Sequence, residues 1–471
     1  MPVTFDVRVW SIETYQGKRR PTYRVLWKVY GRRWKESFSG YKLAESFRSD
    51  LLAAVARGEG FDTDTGRPVS MKRAMLDCSW YSHACAFADM KWPNVAPNSR
   101  RTHAEALTAL TMNLLVGDRG HPDAKLLRSA LTRWGFNTIR RDDDGCPADI
   151  RAALSWVERH THSMRDFDQP AVVRAALNGL TRRLDGQPMS AVVVSRRKRI
   201  FNTVMEYAVE RDVVSANIIP TLKWRVPRPT HVVDKRRVVN PLQARTLLEA
   251  VRRQSNGPRL VAYFGCIYYA AMRPEEVSAL LKSNLALPER GWGELHLDRA
   301  ESHAGREWTD SGTNRQRRQL KQRELDDSRS VPCPPELTAL LHEHLKIFGT
   351  SPDGHLFVGE RNKIEMPKQT VNRTWQAARR ETFTSEVEAT SLGRTPYDLR
   401  HAAVSTLLNA GVPPTVVAEI AGQSVEVLLK IYAKCLSGGR EALRRTWDRA
   451  LGRQNVGTNM ERTAIHRRIP P

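Results

Sequence analysis

The chain has 471 residues, in which 75 Lys and Arg outnumber 51 Asp and Glu, so its formal net charge is +24 and its pI about 10.2. An excess of this size indicates a polyanionic partner, with nucleic acid ahead of an anionic membrane. No run approaches the roughly 18 apolar residues of a spanning helix, and the opening MPVTFDVRVW lacks the charged-then-apolar order of a signal peptide. The composition therefore predicts a cytoplasmic, nucleoid-associated chain of about three domains with no membrane partner.

The cysteines and histidines give little sign of a metal site. The cysteines are scattered without a C-x-x-C pair, which argues against a zinc ribbon or a disulfide framework; they are Cys78, Cys85, Cys146, Cys266, Cys333 and Cys435. The best metal candidate is HEH at 342 to 344, yet residues two apart point to different faces of a helix. We therefore predict no metal and no other cofactor.

Residues 1–68 are predicted to form a small antiparallel sheet followed by a helix. Apolar and polar residues alternate in FDVRVWSIE and in YRVLWKVYGRRWKESFSG, with a turn at Gly31. Apolar residues then recur at helical spacing in KLAESFRSDLLAAVARGEG. The strands interleave aromatic residues with Arg24, Lys28, Arg32, Arg33 and Lys35. These residues suit either a DNA-binding surface or the solvated basic face of an ordinary sheet.

A helical domain is predicted at 69–226. The stretch GFDTDTGRP, at 60 to 68, has the composition of a linker, and segments such as WYSHACAFADMKW and VVSRRKRIFNTVMEYAVERDVV show helical periodicity beyond it. The last segment begins with four consecutive basic residues, Arg196, Arg197, Lys198 and Arg199. These residues either contact the phosphate backbone of DNA or lie on a solvated face of the helix.

Prolines and basic residues in WRVPRPTHVVDKRRVVNP are typical of an interdomain linker, which we place at 227–241. Residues 242–452 are predicted to be mostly helical, with LVAYFGCIYYAAM as a buried core helix and a β region formed by GWGELHL and SRSVPCPP. The polar residues 453–471 form a tail. The chain is thus expected to be mainly α and multidomain, with small β-sheets.

Two arginines, a lysine and a tyrosine in this third domain have the chemistry needed to cut a phosphodiester. Arg273 stands in AAMRPEEVSALL, Lys321 in QLKQR, Arg400 in YDLRHAAVSTLL and Tyr432 in KIYAK. Guanidinium forks match the non-bridging oxygens of a phosphorane, a phenolic oxygen is a nucleophile when cations stabilise it, and a lysine can protonate the leaving oxygen. The helix dipole disfavours a positive charge at a helix start, so Arg400 needs a negatively charged partner there. That partner is either a bound anion or Asp398 in a structural ion pair.

The motifs AAMRPEEVSALL, YDLRH and AGQSVEVLLKIYAK resemble, in this order, those of the tyrosine recombinases, or phage-type integrases. VPCPPELTALL and YDLRHAAVSTLLNAGV are most similar to integrases of actinobacterial phages and mobile elements. The resemblance implies the tyrosine recombinase catalytic fold at 242–452. More loosely, it implies a core-site DNA-binding domain at 69–226 and an arm-type DNA-binding domain at 1–68.

The same resemblance implies a role for each residue of the constellation. Arg273 and Arg400 would clamp the phosphate, and Tyr432 would form a 3′-phosphotyrosyl link without metal or ATP. Lys321 would be the general acid, although a long insertion, ESHAGREWTDSGTNRQRRQ, leaves rival cations beside it: Arg317, Arg318 and Arg323.

Four further positions bear on the site. Glu276 would orient Arg273 from one helical turn away, and His401 would support the site without transferring a proton. The family usually has histidine three residues before its second arginine and histidine or tryptophan nine residues before its nucleophile, where this chain has Tyr397 and Gln423. Either side chain can donate a hydrogen bond, but neither shuttles protons near neutrality. We expect the chemistry to survive both changes.

By this resemblance the chain is a site-specific recombinase that integrates or excises a phage or mobile element. Its partners would be double-stranded attachment sites, three further copies of itself in a homotetramer, and directionality or host architectural factors. Two alternatives stay open. In the first, the same residues relax DNA supercoils by resealing the original strand, as a type IB topoisomerase does. In the second, Tyr397 and Gln423 impair catalysis and the chain is a DNA-binding regulator.

Overall fold

The computed structural model describes residues 3–16, 21–71, 77–183, 186–225, 233–320, 328–360 and 366–432, together with 444, 447, 448 and 451. The chain divides into two compact units. Unit 1 comprises Met1–Thr230 and Ala304–Gly312, and unit 2 comprises His231–His303 and Thr313–Pro471. A short piece of the domain predicted at 242–452 thus belongs with the first unit.

Unit 1 begins with small antiparallel sheets and a helix. The strands are β1 (Val3–Thr4), β2 (Val7–Val9), β3 (Glu13–Gln16), β4 (Pro21–Val29), β5 (Arg32–Phe38) and β6 (Phe61–Asp62). Strand β4 pairs with β2, β3 and β5, and β1 pairs with β6. Helix α1 (Tyr41–Ala56) follows β5, so the predicted sheet-plus-helix fold is confirmed.

Alternation along β4 explains how this sheet packs. Val25, Trp27 and Val29 are buried and form a core with Ala44 and Leu51 of α1. Because successive strand residues point to opposite faces, the residues between them lie on the face away from the helix.

Residues 60 to 68 are folded, so the linker interpretation of this stretch was wrong. Phe61 and Asp62 are fully buried. The Asp62 carboxylate accepts hydrogen bonds from the backbone N–H groups of Asp64 and Thr65, at 3.0 and 2.8 Å. A buried aromatic ring and an Asx turn therefore stabilise a stretch whose composition alone suggested a flexible connection.

The remainder of unit 1 is helical, as predicted. The helices are α2 (Trp80–Lys91), α3 (Pro97–Met112), α4 (Ala124–Ala130), α5 (Ala148–Arg159), α6 (Pro170–Gly179) and α7 (Ala191–Glu210). Their core is aromatic: the Trp80 ring stacks on Phe167 at a centroid distance of 5.3 Å and meets Phe201 edge-on. Ser79 caps α2 by accepting a hydrogen bond from the Ser82 backbone N–H.

The segment Ala304–Gly312 supplies side chains to this helical core. Trp308 is 1% exposed, and its ring centroid lies 6.0 Å from that of Trp92. The buried guanidinium of Arg100 donates to both carboxylate oxygens of Asp310, at 2.7 and 3.0 Å. A buried tryptophan and a bidentate ion pair explain why the segment folds with unit 1.

Unit 2 is mostly helical. Its helices are α8 (Pro241–Arg253), α9 (Gly257–Tyr269), α10 (Pro274–Ser278), α11 (Pro335–Phe348), α12 (Lys368–Thr382), α13 (Ser385–Ala389), α14 (Tyr397–Asn409), α15 (Pro414–Ala421) and α16 (Val425–Tyr432). Its strands are β7 (Leu285–Ala286), β8 (Gly293–Leu297), β9 (Ala300–His303), β10 (Arg315–Arg318) and β11 (Arg329–Cys333).

The strands of unit 2 form two antiparallel sheets, with the order β11-β8-β7 in one and β9-β10 in the other. Val331 lies opposite Leu295 and Arg329 opposite Leu297, which confirms the predicted β region. Every residue from 260 to 268 in α9 is buried, as a core helix requires. Of the helices that the structure describes, none combines the length and apolar character needed to cross a bilayer.

Candidate active site

The chain reaches Arg273 through an unusual turn after α9. Ala271 is fully buried and has a φ of +49°, in the left-handed region that costs a residue with a Cβ about 1 to 2 kcal/mol. Pro274 then begins α10, with Arg273 as its N-cap. The turn leaves the Arg273 side chain 15% exposed at the edge of the unit 2 core.

Glu276 holds Arg273 in place from one turn into α10. Its carboxylate accepts hydrogen bonds from the Arg273 backbone N–H at 2.8 Å and from Nη1 at 2.7 Å. Glu276 itself is 1% exposed. The contact is the one expected from the sequence spacing, and the catalytic role of the pair stays a prediction.

A third arginine, Arg329 on β11, joins the pair, and none of the sequence motifs indicated it. Its Nη2 donates to Oε2 of Glu276 at 2.8 Å, and both side chains are 1% exposed. Its Nε is buried without a hydrogen-bond partner among the described residues. The signal that could have found it is strand alternation, which turns Arg329 inward together with Val331 and Cys333.

Gly422 allows these arginines to approach the turn that ends α15. Its φ is +59°, and a Cβ on it would overlap Nη1 of Arg329 and lie 3.2 Å from Nη1 of Arg273. Its carbonyl accepts a hydrogen bond from Nη2 of Arg273. Glycine is therefore required both by the backbone conformation and by the space that the guanidinium groups occupy.

Arg400 lies in the first turn of α14 and is 1% exposed. Its Nη1 donates to the carbonyl of Ala271 and its Nη2 to the carbonyl of Ala421. Because a guanidinium has five N–H donors, donors remain for an anion. Asp398, the alternative partner considered from the sequence, instead forms an ion pair with Arg237 at 3.0 Å.

The cluster contains three guanidinium groups and one carboxylate, which leaves an excess of two positive charges. Burial raises the pKa of the Glu276 carboxyl, but the charges of Arg329, Arg273 and Arg400 outweigh burial and hold that pKa below its ordinary value. Burial, and then the charge of Arg273, lowers the pKa of Arg400. Since arginine stays charged in proteins, an arriving anion would offset this uncompensated charge.

The structure brings the predicted nucleophile to this cluster. Tyr432 ends α16 and is 1% exposed. Its Oη lies 2.8 Å from Nδ1 of His401, the residue that follows Arg400 in α14. Tyr397 is nearby, 38% exposed, with its ring edge-on to His401 at 5.0 Å.

Gln423 has a buried amide nitrogen, Nε2, without a hydrogen-bond partner among the described residues. A buried donor without an acceptor costs about 1 to 3 kcal/mol, so this position suits the arrival of an acceptor oxygen. Lys321 and Arg323 lie outside the described residues. The rival cations Arg317 and Arg318 are on β10.

The N-terminal sheet gathers most of its predicted basic residues on one face. The residues on the face away from α1 are Arg8, Arg24, Lys28, Arg33 and Lys35. Arg8, which lies opposite Lys28, was missed by the sequence analysis. Arg32 lies on the other face of β5, where its guanidinium stacks over the Trp34 ring at 4.3 Å, so it does not belong to the shared surface.

The four basic residues of α7 do not form a single patch. Arg196 and Arg199 are exposed, whereas burial lowers the pKa of Arg197, and Lys198 Nζ lies 5.5 Å from the Trp224 ring centroid. Consecutive residues radiate around a helix. Arg196 and Arg199, three apart, are therefore the pair suited to a phosphate backbone.

The histidines of the HEH sequence are engaged separately. Nε2 of His342 lies 2.8 Å from the carbonyl oxygen of Pro288, and Nε2 of His344 lies 2.9 Å from that of Leu356. Across the described part of the chain, no three His, Cys, Asp or Glu side chains are placed to hold a metal ion.

Known proteins provide a comparison for this site. Residues 237–436 match the model of the phage integrase family. A search of curated protein sequences gave no match.

Solved structures are similar at low identity. The Tn1549 transposon integrase, solved with a circular intermediate DNA, is 14% identical over 66% of this chain and 96% of that chain, with a TM-score of 0.46. The XerH site-specific recombinase, bound to a palindromic difH substrate, is 11% identical over 78% and 96%, with a TM-score of 0.46. A lambda integrase dimer bound to a COC′ core site is 13% identical over 65% and 90%, with a TM-score of 0.39.

The arginine cluster and its tyrosine lie within the matched region, so the fold and the motifs define a tyrosine-type site-specific recombinase. The match covers residues 237–436, less than half of the chain, and it is to the family that the motifs predicted.

Buried neutral histidines predict that the fold is sensitive to acid. Burial lowers the pKa of His83 and His344, and it lowers the pKa of His401 to about 4. In the unfolded chain each would take up a proton near pH 6.5. Their stabilising contribution is therefore complete above about pH 6.5 and is lost as the pH falls toward the folded pKa, by roughly 3 kcal/mol for His401 alone.

Urea unfolding at a series of pH values measures this effect. We expect the free energy of unfolding to fall between about pH 6.5 and pH 4, with a smaller fall for His401→Gln and an unchanged fall for the control His342→Gln. His355 has the opposite effect because its hydrogen bond with Glu301 raises its pKa. Its contribution to the free energy of unfolding is complete below about pH 6.5 and is lost as the pH rises through the folded pKa. Equal stability across this pH range would contradict the prediction.

Proposed function

We propose that the protein cuts and rejoins DNA through a 3′-phosphotyrosyl intermediate at Tyr432. The observation that carries the proposal is the excess of two positive charges in the cluster of Arg273, Arg329, Arg400 and Glu276, together with the contact of the Tyr432 phenol with His401, the neighbour of Arg400. A buried cationic site beside a hydroxyl nucleophile suits a phosphodiester, because its non-bridging oxygens gain negative charge during attack.

In this mechanism the arginines bind the scissile phosphate and the buried Gln423 amide donates to one of its oxygens. Oη of Tyr432 forms a bond to phosphorus as the bond from phosphorus to the 5′ oxygen breaks. Lys321 protonates that leaving oxygen. The 5′ hydroxyl of a partner strand then reverses the step, and the phosphotyrosyl bond conserves the energy of the phosphodiester, so no ATP is consumed.

Two parts of unit 1 would hold DNA in addition to the active site of unit 2. The basic face of the N-terminal sheet suits an arm-type site and residues 69–226 suit a core site, because Arg8, Lys28 and Arg33 face away from the protein core while Arg196 and Arg199 are exposed on α7. In the cell the substrates would be the attachment sites of a phage or mobile element. A homotetramer on two duplexes, with directionality or host architectural factors, would complete the reaction.

Tyr397 and Gln423 favour a second candidate, a DNA-binding regulator of the same fold with impaired catalysis. Neither side chain carries an imidazole, so both family histidine positions lack the group that usually transfers protons there. The retained arginine cluster favours the enzyme over the regulator.

A suicide-substrate assay separates these candidates. Wild type and Tyr432→Phe are incubated in EDTA with nicked duplexes that were selected from a random library by binding to the Tyr432→Phe protein. We expect a covalent protein–DNA band on a denaturing gel with wild type and none with the variant. Specific binding by both proteins without a covalent band would support the regulator.

The outward basic face of the sheet should contribute to DNA affinity by neutralising backbone phosphates. We expect Lys28→Ala with Arg33→Ala to weaken binding and to lower the slope of log affinity against log salt by about 0.9 for each phosphate that is no longer neutralised. Fluorescence anisotropy at several salt concentrations measures the slope. Arg32→Ala, on the opposite face of the same strand, is the control and should leave the slope unchanged; an equal loss of affinity in both proteins would contradict the assignment of this face.

A further inference from the structure

We propose that His401 accepts the phenol proton of Tyr432 as the tyrosine attacks the phosphodiester. This inference rests on the function proposed above and identifies the base for its first step. The resemblance implied only a supporting role for His401, so the contact between the two side chains changes its assignment.

The contact joins the two atoms that the step requires. Nδ1 of His401 lies 2.8 Å from Oη of Tyr432, within hydrogen-bond reach, and the two ring centroids are 5.6 Å apart. With its proton on Nε2, the neutral imidazole presents a lone pair at Nδ1 to the phenol O–H. Tyr432 is 1% exposed, so burial limits direct transfer of this proton to water.

The two side chains at the family's histidine positions cannot take this role. An amide such as Gln423 does not accept a proton near neutrality. Tyr397 carries a phenol, which already holds its proton and has no basic nitrogen, and its ring centroid lies 5.0 Å from that of His401. Of the three positions, only that of His401 carries an imidazole, which has a nitrogen lone pair that can accept a proton.

Substrate binding would strengthen this base. The charged and titratable groups that act on the imidazole or contact it are Asp398, Arg237, Arg400, Tyr397 and Tyr432. Burial first, and then the charges of Arg237 and Arg400, hold the pKa of His401 low against the opposing effect of Asp398. A phosphodiester bound at Arg400 adds negative charge nearby, which favours the imidazolium.

The step balances in atoms and electrons. The proton moves from Oη of Tyr432 to Nδ1 of His401 as Oη bonds to phosphorus, and the bond from phosphorus to the 5′ oxygen breaks. The leaving 5′ oxygen receives its proton from the general acid. In the resealing step the incoming 5′ hydroxyl gives its proton to the general acid as its oxygen bonds to phosphorus, the bond from phosphorus to Oη breaks, and the imidazolium returns its proton to Oη. The site is then restored without a further reactant.

Single-turnover cleavage of the nicked duplex, followed across about pH 6 to pH 9, tests the proposal with the full-length chain. We expect His401→Ala to cleave about 10²- to 10⁴-fold more slowly at neutral pH. Its rate should then rise about tenfold per pH unit, because the phenol must lose its proton before attack. Added imidazole should restore part of the rate by entering the space left by the ring.

His401→Asn distinguishes proton transfer from positioning. Its side-chain oxygen can accept the phenol hydrogen bond but cannot take the proton, so we expect a rate as low as that of the alanine variant, without imidazole rescue. If His401→Ala does not fold, His401→Asn alone tests the proposal. His342→Ala, which alters a histidine outside the site, is the control and should retain the wild-type rate and pH profile.

Three results would overturn the inference while leaving the proposed function intact. They are cleavage by the variants at the wild-type rate, a reduced rate with the wild-type pH profile and no rescue, and restoration of cleavage by asparagine. If wild type itself formed no covalent product at any pH, the proposed function would fail, and the inference with it.

Discussion

Arg400→Lys is expected to reduce the rate of covalent cleavage by about 10²- to 10³-fold, the effect of removing a fixed donor from a site of developing negative charge. The guanidinium fork donates to the carbonyls of Ala271 and Ala421 and keeps donors for the phosphate. An ammonium group offers one point of attachment and cannot reproduce this geometry. Single-turnover cleavage on the nicked duplex measures the change, and DNA affinity should change far less.

Arg253→Lys is the matched control, because Arg253 is exposed and paired with Glu381 on the surface of unit 2. We expect it to cleave at the wild-type rate. An Arg400→Lys protein that folds, binds DNA and cleaves within a few-fold of wild type would exclude Arg400 from the phosphate-binding role.

Glu276→Ala is expected to destabilise the protein by about 3 to 5 kcal/mol, the cost of removing one partner from a buried ion pair. The carboxylate bonds to Arg273 at 2.7 Å and to Arg329 at 2.8 Å, and its removal leaves both guanidinium groups without a counter-ion. Urea unfolding at pH 7 measures the change in the free energy of unfolding.

The neighbouring carboxylate provides the comparison. Glu275 is exposed on α10, and Glu275→Ala should change stability by less than about 0.5 kcal/mol. Added sulfate or phosphate should recover part of the stability of Glu276→Ala, because an anion can replace the missing charge. Equal stability of the two variants would show that Glu276 does not hold the cluster together.

Local patterns predicted much of the catalytic unit. The apolar run at 260 to 272 indicated the buried helix α9, and alternation in GWGELHL indicated a strand that pairs with β11. Arg273 and Arg400 were found because each breaks an apolar helical pattern. Each of these patterns extends over about a dozen residues, so the spacing of residues within one segment is enough to predict the element.

The features that the sequence did not reveal depend on distant contacts. Arg329 pairs with a carboxylate 53 residues earlier, and nothing near it in the sequence marks that partner. Trp308 stands in a polar insertion but packs beside Trp92 in the core of unit 1. Phe61 lies in a stretch rich in glycine and aspartate, where one buried ring outweighs the surrounding composition.

Identification of the residue that becomes linked to DNA is the decisive measurement for the proposed phosphotyrosyl chemistry. The covalent complex formed on the nicked duplex would be digested with protease and nuclease, and the peptide that carries the nucleotide would be sequenced by mass spectrometry. We expect the nucleotide on Tyr432. A nucleotide on Tyr397, the exposed tyrosine beside His401, would contradict it.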